Sequence, residues 1–134
     1  MFDNPSLTLT PGFRAAAVHA RVKASSPPEK LDIALVASDT PCTAAGVFTT
    51  NRVKAAPVVY DQAVLARRAD AIRAVVVNSG NANAVTGAQG MTDAQAMAHA
   101  VAEALGVPAD SVLVMSTGVI GQALPMERIA PGIA

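Results

Sequence analysis

Ser116-Thr117-Gly118-Val119-Ile120-Gly121 is the stretch of this chain best suited to chemistry, and it directly follows the apolar run Val112-Leu113-Val114-Met115. A buried strand that ends in Ser-Thr-Gly presents backbone N–H groups and one hydroxyl at a sheet edge. Such donors can hold the negative charge that develops on oxygen during acyl transfer. Thr117 would offer the hydroxyl, and Gly118 an N–H approached with no Cβ in the way. The same local sequence also suits an ordinary strand-to-loop turn, so the stretch alone leaves both readings open. No Gly-Lys-Ser/Thr follows, which excludes a P-loop. A second stretch, Asn78-Ser79-Gly80-Asn81-Ala82-Asn83-Ala84, repeats the design after Ala74-Val75-Val76-Val77. Its asparagines pair donor with acceptor, as an amide or amino-acid substrate requires. They equally suit Asx turns in which the loop bonds itself. The two stretches predict two loops built around one ligand, with Asn81 and Asn83 shaping the loop beside it.

No nucleophile–base pair accompanies them. His19 falls on a predicted strand and His99 on a solvated helix face, where Glu103 is its natural i,i+4 partner. Neither has an acid or serine at a telling spacing. Cys42 follows Pro41 in a predicted turn with no basic residue beside it in sequence to depress its pKa, and reads as a small buried residue. Thr49-Thr50-Asn51-Arg52 reads as a polar turn.

These residues need a scaffold. Met1–Pro11 reads as an extended lead-in. Strands are predicted over Phe13–Lys23, Leu31–Ala37 (closed by Ser38-Asp39-Thr40-Pro41) and Ala44–Phe48, with connections short enough for consecutive antiparallel pairing. Pro57–Tyr60 is a short apolar run, and Gln62–Ala69 has helical spacing. Ile72–Val77 reads as a strand buried on both faces. Thr92–Leu105 carries the clearest helical pattern. Thr92 and Gln95 form a candidate capping box; Ala94, Met97, Val101, Ala104 and Leu105 make the apolar stripe; Gln95, His99 and Glu103 make the polar face. Gly106 and Pro108 end it. Ser111–Met115 returns as a strand, parallel to Ile72–Val77 through this helix. The expected fold is one α/β domain over residues 1–134, with antiparallel N-terminal strands and a strand–helix–strand unit in a mixed sheet. Pro125–Ile129 resembles the opening turn of a helix just before the last residue, Ala134, which suggests a truncated domain.

The 134 residues are 51% apolar and 15% charged, a globular composition. Ten basic and ten acidic residues cancel, and only Arg67-Arg68 is an adjacent basic pair. Nucleic-acid and anionic-membrane partners are disfavoured. One cysteine rules out an intrachain disulfide and a cysteine-rich metal site. No run of about 18 apolar residues suggests a membrane span, and the N-terminus does not resemble a signal peptide. The default expectation is a cytoplasmic protein without metal.

Taken in order, Gly12-Phe13-Arg14-Ala15-Ala16, Asp32-Ile33-Ala34-Leu35-Val36, Ala45-Gly46-Val47-Phe48-Thr49-Thr50-Asn51, Asn78–Ala84 and Ser116–Gly121 resemble the N-terminal part of the ornithine acetyltransferases, also called glutamate N-acetyltransferases. The resemblance runs from about Gly12 to the last residue. It implies an N-terminal-threonine acyltransferase-like sandwich, here incomplete. It implies acetyl transfer from N2-acetylornithine to glutamate in arginine biosynthesis, with acetyl-CoA as a further co-substrate in bifunctional members and no resident cofactor. Such precursors cut themselves into α and β chains, and the family suggests an α2β2 assembly. The new N-terminal threonine of the β chain is the nucleophile, with its α-amino group as base. The family's oxyanion hole maps onto Thr117 and Gly118. The nucleophile lies in an Ala-Thr-Met-Leu-like motif that this chain does not contain, and the family's substrate-binding threonine and lysine also lie beyond Ala134. This segment is therefore expected to be inactive alone. A self-cleaving amidohydrolase or aminopeptidase of similar architecture, or a non-catalytic fragment, are the competing expectations.

Overall fold

The computed structural model describes residues 10–134, so most of the lead-in predicted over Met1–Pro11 lies outside the described residues. Four strands form one sheet: β1 (Phe13–Val18), β2 (Ile33–Cys42), β3 (Ile72–Asn81) and β4 (Val112–Val119), in that spatial order. β1–β2 and β2–β3 are antiparallel, and β3–β4 is parallel. Among the described residues three α-helices, α1 (Ala56–Arg68), α2 (Gly87–Leu105) and α3 (Met126–Ile133), and a 3-10 turn at Ala109–Ser111 complete the domain. The mixed α/β architecture and the strand–helix–strand unit are as expected.

Strand alternation sorts the sheet into two faces. Ile33, Ala37, Ala74, Val76, Val112 and Val114 point to the helices, where Met97, Ala98, Val101 and Ile129 complete the core. The other face carries Ala15, Ala17, Ala34, Met115, Thr117 and Val119, all exposed. β3 is therefore not buried on both faces: its residues alternate between buried and half-buried. Among the described residues, no helix is long and apolar enough to cross a membrane.

Several boundaries differ from expectation for identifiable reasons. The first strand stops at Val18, not Lys23, because the buried Asp32 carboxylate captures the next backbone. Its Oδ1 accepts the Ala20 N–H at 2.6 Å and its Oδ2 the Val22 N–H at 2.8 Å. Arg21, between them, takes a left-handed φ of 55°. The second strand continues through the predicted turn Ser38–Pro41 to Cys42, with a register shift between Ala37 and Cys42. Ala44–Phe48 is not a strand. Both sides of β2 are already taken by β1 and β3, and Gly46 instead packs against the Phe48 ring and Leu65.

α1 begins at Ala56, so the apolar run Pro57–Tyr60 is its first turn, with proline near the start where its missing N–H costs nothing. α2 begins at Gly87, placing Thr92 inside the helix. The Thr92 hydroxyl donates back to the Ala88 carbonyl at 3.4 Å and caps nothing. In the predicted apolar stripe Ala104 is exposed, while Ala98 and Ala102 are buried. Gly106 does close the helix: at φ 64° its own N–H reaches the Glu103 carbonyl and the Val107 N–H reaches that of Ala102.

Candidate functional site

The two polar stretches are loops only at their ends, over Ala82–Ala84 and Ile120–Gly121. β3 runs on through Asn81 and β4 through Val119, so the stretches are adjacent rungs of one parallel ladder. Asn78 pairs with Ser116, Ser79 with Thr117, Gly80 with Gly118 and Asn81 with Val119. They lie at the carboxyl ends of the two parallel strands, the end at which open α/β sheets bind ligands.

Gly118 and Gly80 meet at contact distance. A Cβ on Gly118 would overlap the Gly80 carbonyl, and Gly118 holds φ 132°, which other residues rarely adopt. Gly80 is pressed in turn by Val22, whose Cγ1 would lie 2.9 Å from a Cβ there. Asp32, which fixes the Val22 backbone, therefore supports the ladder from behind, and its own carbonyl accepts the Ser79 N–H at 2.8 Å. Asp32 received no role from the sequence. A single aspartate ahead of a strand gives no spacing signal, and only the fold shows which N–H groups it reaches.

Thr117 alternates onto the open sheet face, where it is exposed, and no described residue hydrogen-bonds its hydroxyl. N–H groups along a strand point alternately to its two sides. On β4, Val119 faces β3, since its carbonyl accepts the Ala82 N–H at 2.9 Å. The Val114 N–H faces outward, to Asp61. Gly118 shares the parity of Val114, so its N–H is directed to the outer edge. An exposed hydroxyl and an outward N–H on successive residues can converge on one oxygen.

The asparagines hold the strand ends together. Asn78 Nδ2 donates to the Asn81 carbonyl, Asn81 Nδ2 to that of Ala123 and Asn83 Nδ2 to that of Gly90, each at 2.8 Å. Asn83 Oδ1 accepts the Thr86 hydroxyl, also at 2.8 Å. Asn78 and Asn83 are fully buried and Asn81 nearly so. Their role is scaffold, the self-bonding alternative. Asn78 Oδ1 and the neighbouring Ser116 Oγ are buried without a described partner, so the floor under Thr117 is polar. Replacing Asn83 with alanine leaves the buried Gly90 carbonyl and the half-buried Thr86 hydroxyl unmatched, and a loss of about 1–3 kcal/mol is expected in chemical denaturation of the full-length protein.

Other candidate residues lie elsewhere. His19 follows β1, and its Nδ1–H donates to the Lys30 carbonyl at 2.6 Å, a structural contact. His99 is exposed on α2, in the helix layer, where it lines a 350 Å³ cleft with Tyr60, Arg67 and Asp110. Among the described residues no ion pair joins it to Glu103. Cys42 is half-buried at the strand's end, not in a turn, and its S–H donates to Ser38 Oγ at 3.1 Å. It pairs with Ile72, at the end of the sheet away from Thr117. Thr49–Arg52 is a polar turn, in which Asn51 Oδ1 accepts the Val53 N–H.

Asp61 on α1 is a buried carboxylate whose Oδ1 accepts the Val114 N–H at 2.9 Å. Burial pushes its pKa from 3.8 up to about 6, and the Val114 bond offsets this only in part. Because the folded value is the higher one, Asp61 favours the fold fully below about pH 3.8, and that contribution is lost as pH rises through about 6. Thermal melts between pH 4 and 8 should show this decline. Asp61→Asn keeps an acceptor without a charge, and should flatten the decline and melt higher at pH 8.

The ArgJ family model matches residues 14–134. Over 122 residues the chain is 54% identical to the arginine biosynthesis bifunctional protein ArgJ of Thermotoga neapolitana, covering 91% of this chain and 30% of that protein. It is 55% identical over 123 residues to the mitochondrial ArgJ of Penicillium rubens, covering 91% and 25%. The crystal structure of ArgJ from Bacillus halodurans superimposes with a TM-score of 0.88 at 40% identity, covering 96% of this chain and 65% of that one. Ornithine acetyltransferase from Mycobacterium tuberculosis, solved in complex with ornithine, gives 0.85 at 50% identity, covering 92% and 65%. The chain thus spans less than a third of the length of these curated relatives.

Proposed function

The chain belongs to the ArgJ family, and from that premise we propose that it forms the oxyanion-binding part of an enzyme moving an acetyl group from N2-acetylornithine to glutamate. The observation that carries the reading is the β3–β4 register, which sets the Thr117 hydroxyl on the open sheet face beside an outward Gly118 N–H. A threonine nucleophile from the remainder of the protein attacks the acetyl carbonyl of N-acetylornithine. The carbonyl oxygen becomes an oxyanion, and Thr117 and Gly118 donate to it. Collapse of the tetrahedral intermediate expels ornithine and leaves an acetyl-threonine. The glutamate amine then attacks through a second oxyanion in the same place, releasing N-acetylglutamate and the free threonine.

The nucleophile and the surfaces that bind substrate belong, in this proposal, to a self-cleaved partner segment of the same precursor, in a cytoplasmic α2β2 assembly. The exposed apolar face bearing Ala15, Ala34, Met115 and Val119 supports such a partner, since apolar surface of this kind marks an interaction site. Residues 1–134 are then one incomplete domain. Purified alone, they are expected to give no acetyl transfer from N-acetylornithine to labelled glutamate. Turnover that Thr117→Ala abolishes would overturn the division of labour proposed here.

The full-length protein tests the reaction itself. Formation of N-acetylglutamate that depends on N-acetylornithine supports it, and release of acetate to water instead supports a hydrolase. Use of acetyl-CoA as a second donor belongs to the same proposal and is tested by substituting it for N-acetylornithine.

A further inference from the structure

Asp61 lies outside the oxyanion pair, yet it is the point at which α1 grips the strand that carries that pair. β4 is an edge strand, bonded to β3 on one side and to no described strand on the other. Three ties join α1 to the segment entering β4. The Tyr60 hydroxyl donates to the Ala109 carbonyl at 3.2 Å, Arg68 pairs with Asp110 at 2.8 Å, and Asp61 takes the Val114 N–H at 2.9 Å. The first two hold the turn before the strand, whereas Asp61 alone reaches the strand itself.

That contact uses a particular row of donors. N–H groups of the same parity leave a strand on the same side. The Val114 N–H and the Gly118 N–H therefore belong to one outward row, four residues or about 13 Å apart along β4. On the inner side, Gly118 is pressed against Gly80 with no room for a Cβ. β4 is thus held from within by the glycine contact and from without by one carboxylate. Ionised Asp61 opposes folding above about pH 6, so the group is held there against a stability cost that an uncharged acceptor would avoid.

We propose that Asp61 is a positioning residue for the oxyanion donors: by binding the Val114 N–H it sets the twist of β4, and through it the direction of the Gly118 N–H and the Thr117 hydroxyl. The inference rests on the oxyanion reading above. It differs from a merely structural role in its kinetic signature. A donor aimed wrongly weakens the transition state more than the ground state, so kcat falls and KM does not.

The test uses the full-length protein with Asp61→Leu, which removes the acceptor, and Asp61→Asn, which keeps it. Misplacement of reacting groups by about 1 Å costs on the order of 10²-fold, so the leucine variant should lose about 10- to 100-fold in kcat with KM within about twofold. The asparagine variant should stay within about threefold of wild type in kcat. A leucine variant with wild-type kcat, a loss confined to KM, or an asparagine variant as impaired as the leucine one would each overturn the inference. Amide hydrogen exchange gives a readout that needs no reaction. In the wild type the Val114 amide should exchange as slowly as that of Val76 in the ladder, and over Val114–Gly118 the leucine variant should exchange faster than the asparagine one. Fast wild-type exchange at Val114 overturns the latch even if neither variant folds. If the wild type transfers no acetyl group, the functional reading fails and the exchange result alone decides the latch.

Discussion

Thr117→Ala in the full-length enzyme is expected to lower kcat about 10²–10³-fold while KM changes little. The expectation follows from where the hydroxyl sits. It is exposed on the open face of β4 and has no hydrogen-bond partner among the described residues, so its removal breaks no fold contact. On the proposed reading, what it removes is a donor to an oxygen whose negative charge develops on the way to the tetrahedral intermediate. Steady-state kinetics with N-acetylornithine and glutamate checks this, with thermal melting as the control for folding. A rise in KM with kcat intact would show that Thr117 binds ground-state substrate instead. Thr117→Ser, which keeps the hydroxyl, should retain most of the activity.

Gly118→Ala should do more damage by a different route. The residue holds φ 132°, a conformation that costs an alanine roughly 1–3 kcal/mol. The new methyl would also overlap the Gly80 carbonyl, and forcing atoms into filled space costs roughly 1–3 kcal/mol more. The strands must part at Gly80–Gly118, which turns both proposed oxyanion donors. Loss of activity together with a lowered denaturation midpoint is expected, in contrast to Thr117→Ala, which should lose activity alone. Wild-type stability in the Gly118→Ala protein would mean that the ladder does not close at this rung.

The two outcomes separate the chemistry of the site from its support. Thr117 is replaceable in the fold, whereas Gly118 is fixed by contact. Behind Gly118 lie Gly80, then Val22, then the Asp32 carboxylate that pins the Val22 backbone. On the outer edge lies Asp61. Neither aspartate is marked by its sequence neighbours. Asp61 falls between the apolar run Pro57–Tyr60 and the helical spacing of Gln62–Ala69, and its partner Val114 is 53 residues away.

The errors in element boundaries share one cause. Thr92 matches a capping box locally, yet the Asn83–Gly90 and Thr86–Asn83 bonds carry the helix start back to Gly87. Ala44–Phe48 has the composition of a strand, but β2, its expected neighbour, already has β1 and β3 on its two sides. In each case a local preference of about 1 kcal/mol or less gave way to hydrogen bonds or strand pairings that the segment's own pattern does not show.

The sequence by itself determined the α/β class, the Gly106 helix stop, the parallel β3–β4 unit and the family, because these follow from local periodicity, from backbone chirality and from the order of long motifs. It also singled out Thr117 and Gly118, since a hydroxyl beside a glycine at a strand end is visible in the residue types alone. Only the tertiary structure decided that the two polar stretches are rungs of one ladder, that the asparagines are scaffold, and that Asp32 and Asp61 grip the ladder from opposite sides. The physical reason is that register and hydrogen-bond partnership join residues distant in the chain. A residue's type limits which partners it can take, and the packed fold settles which one it has.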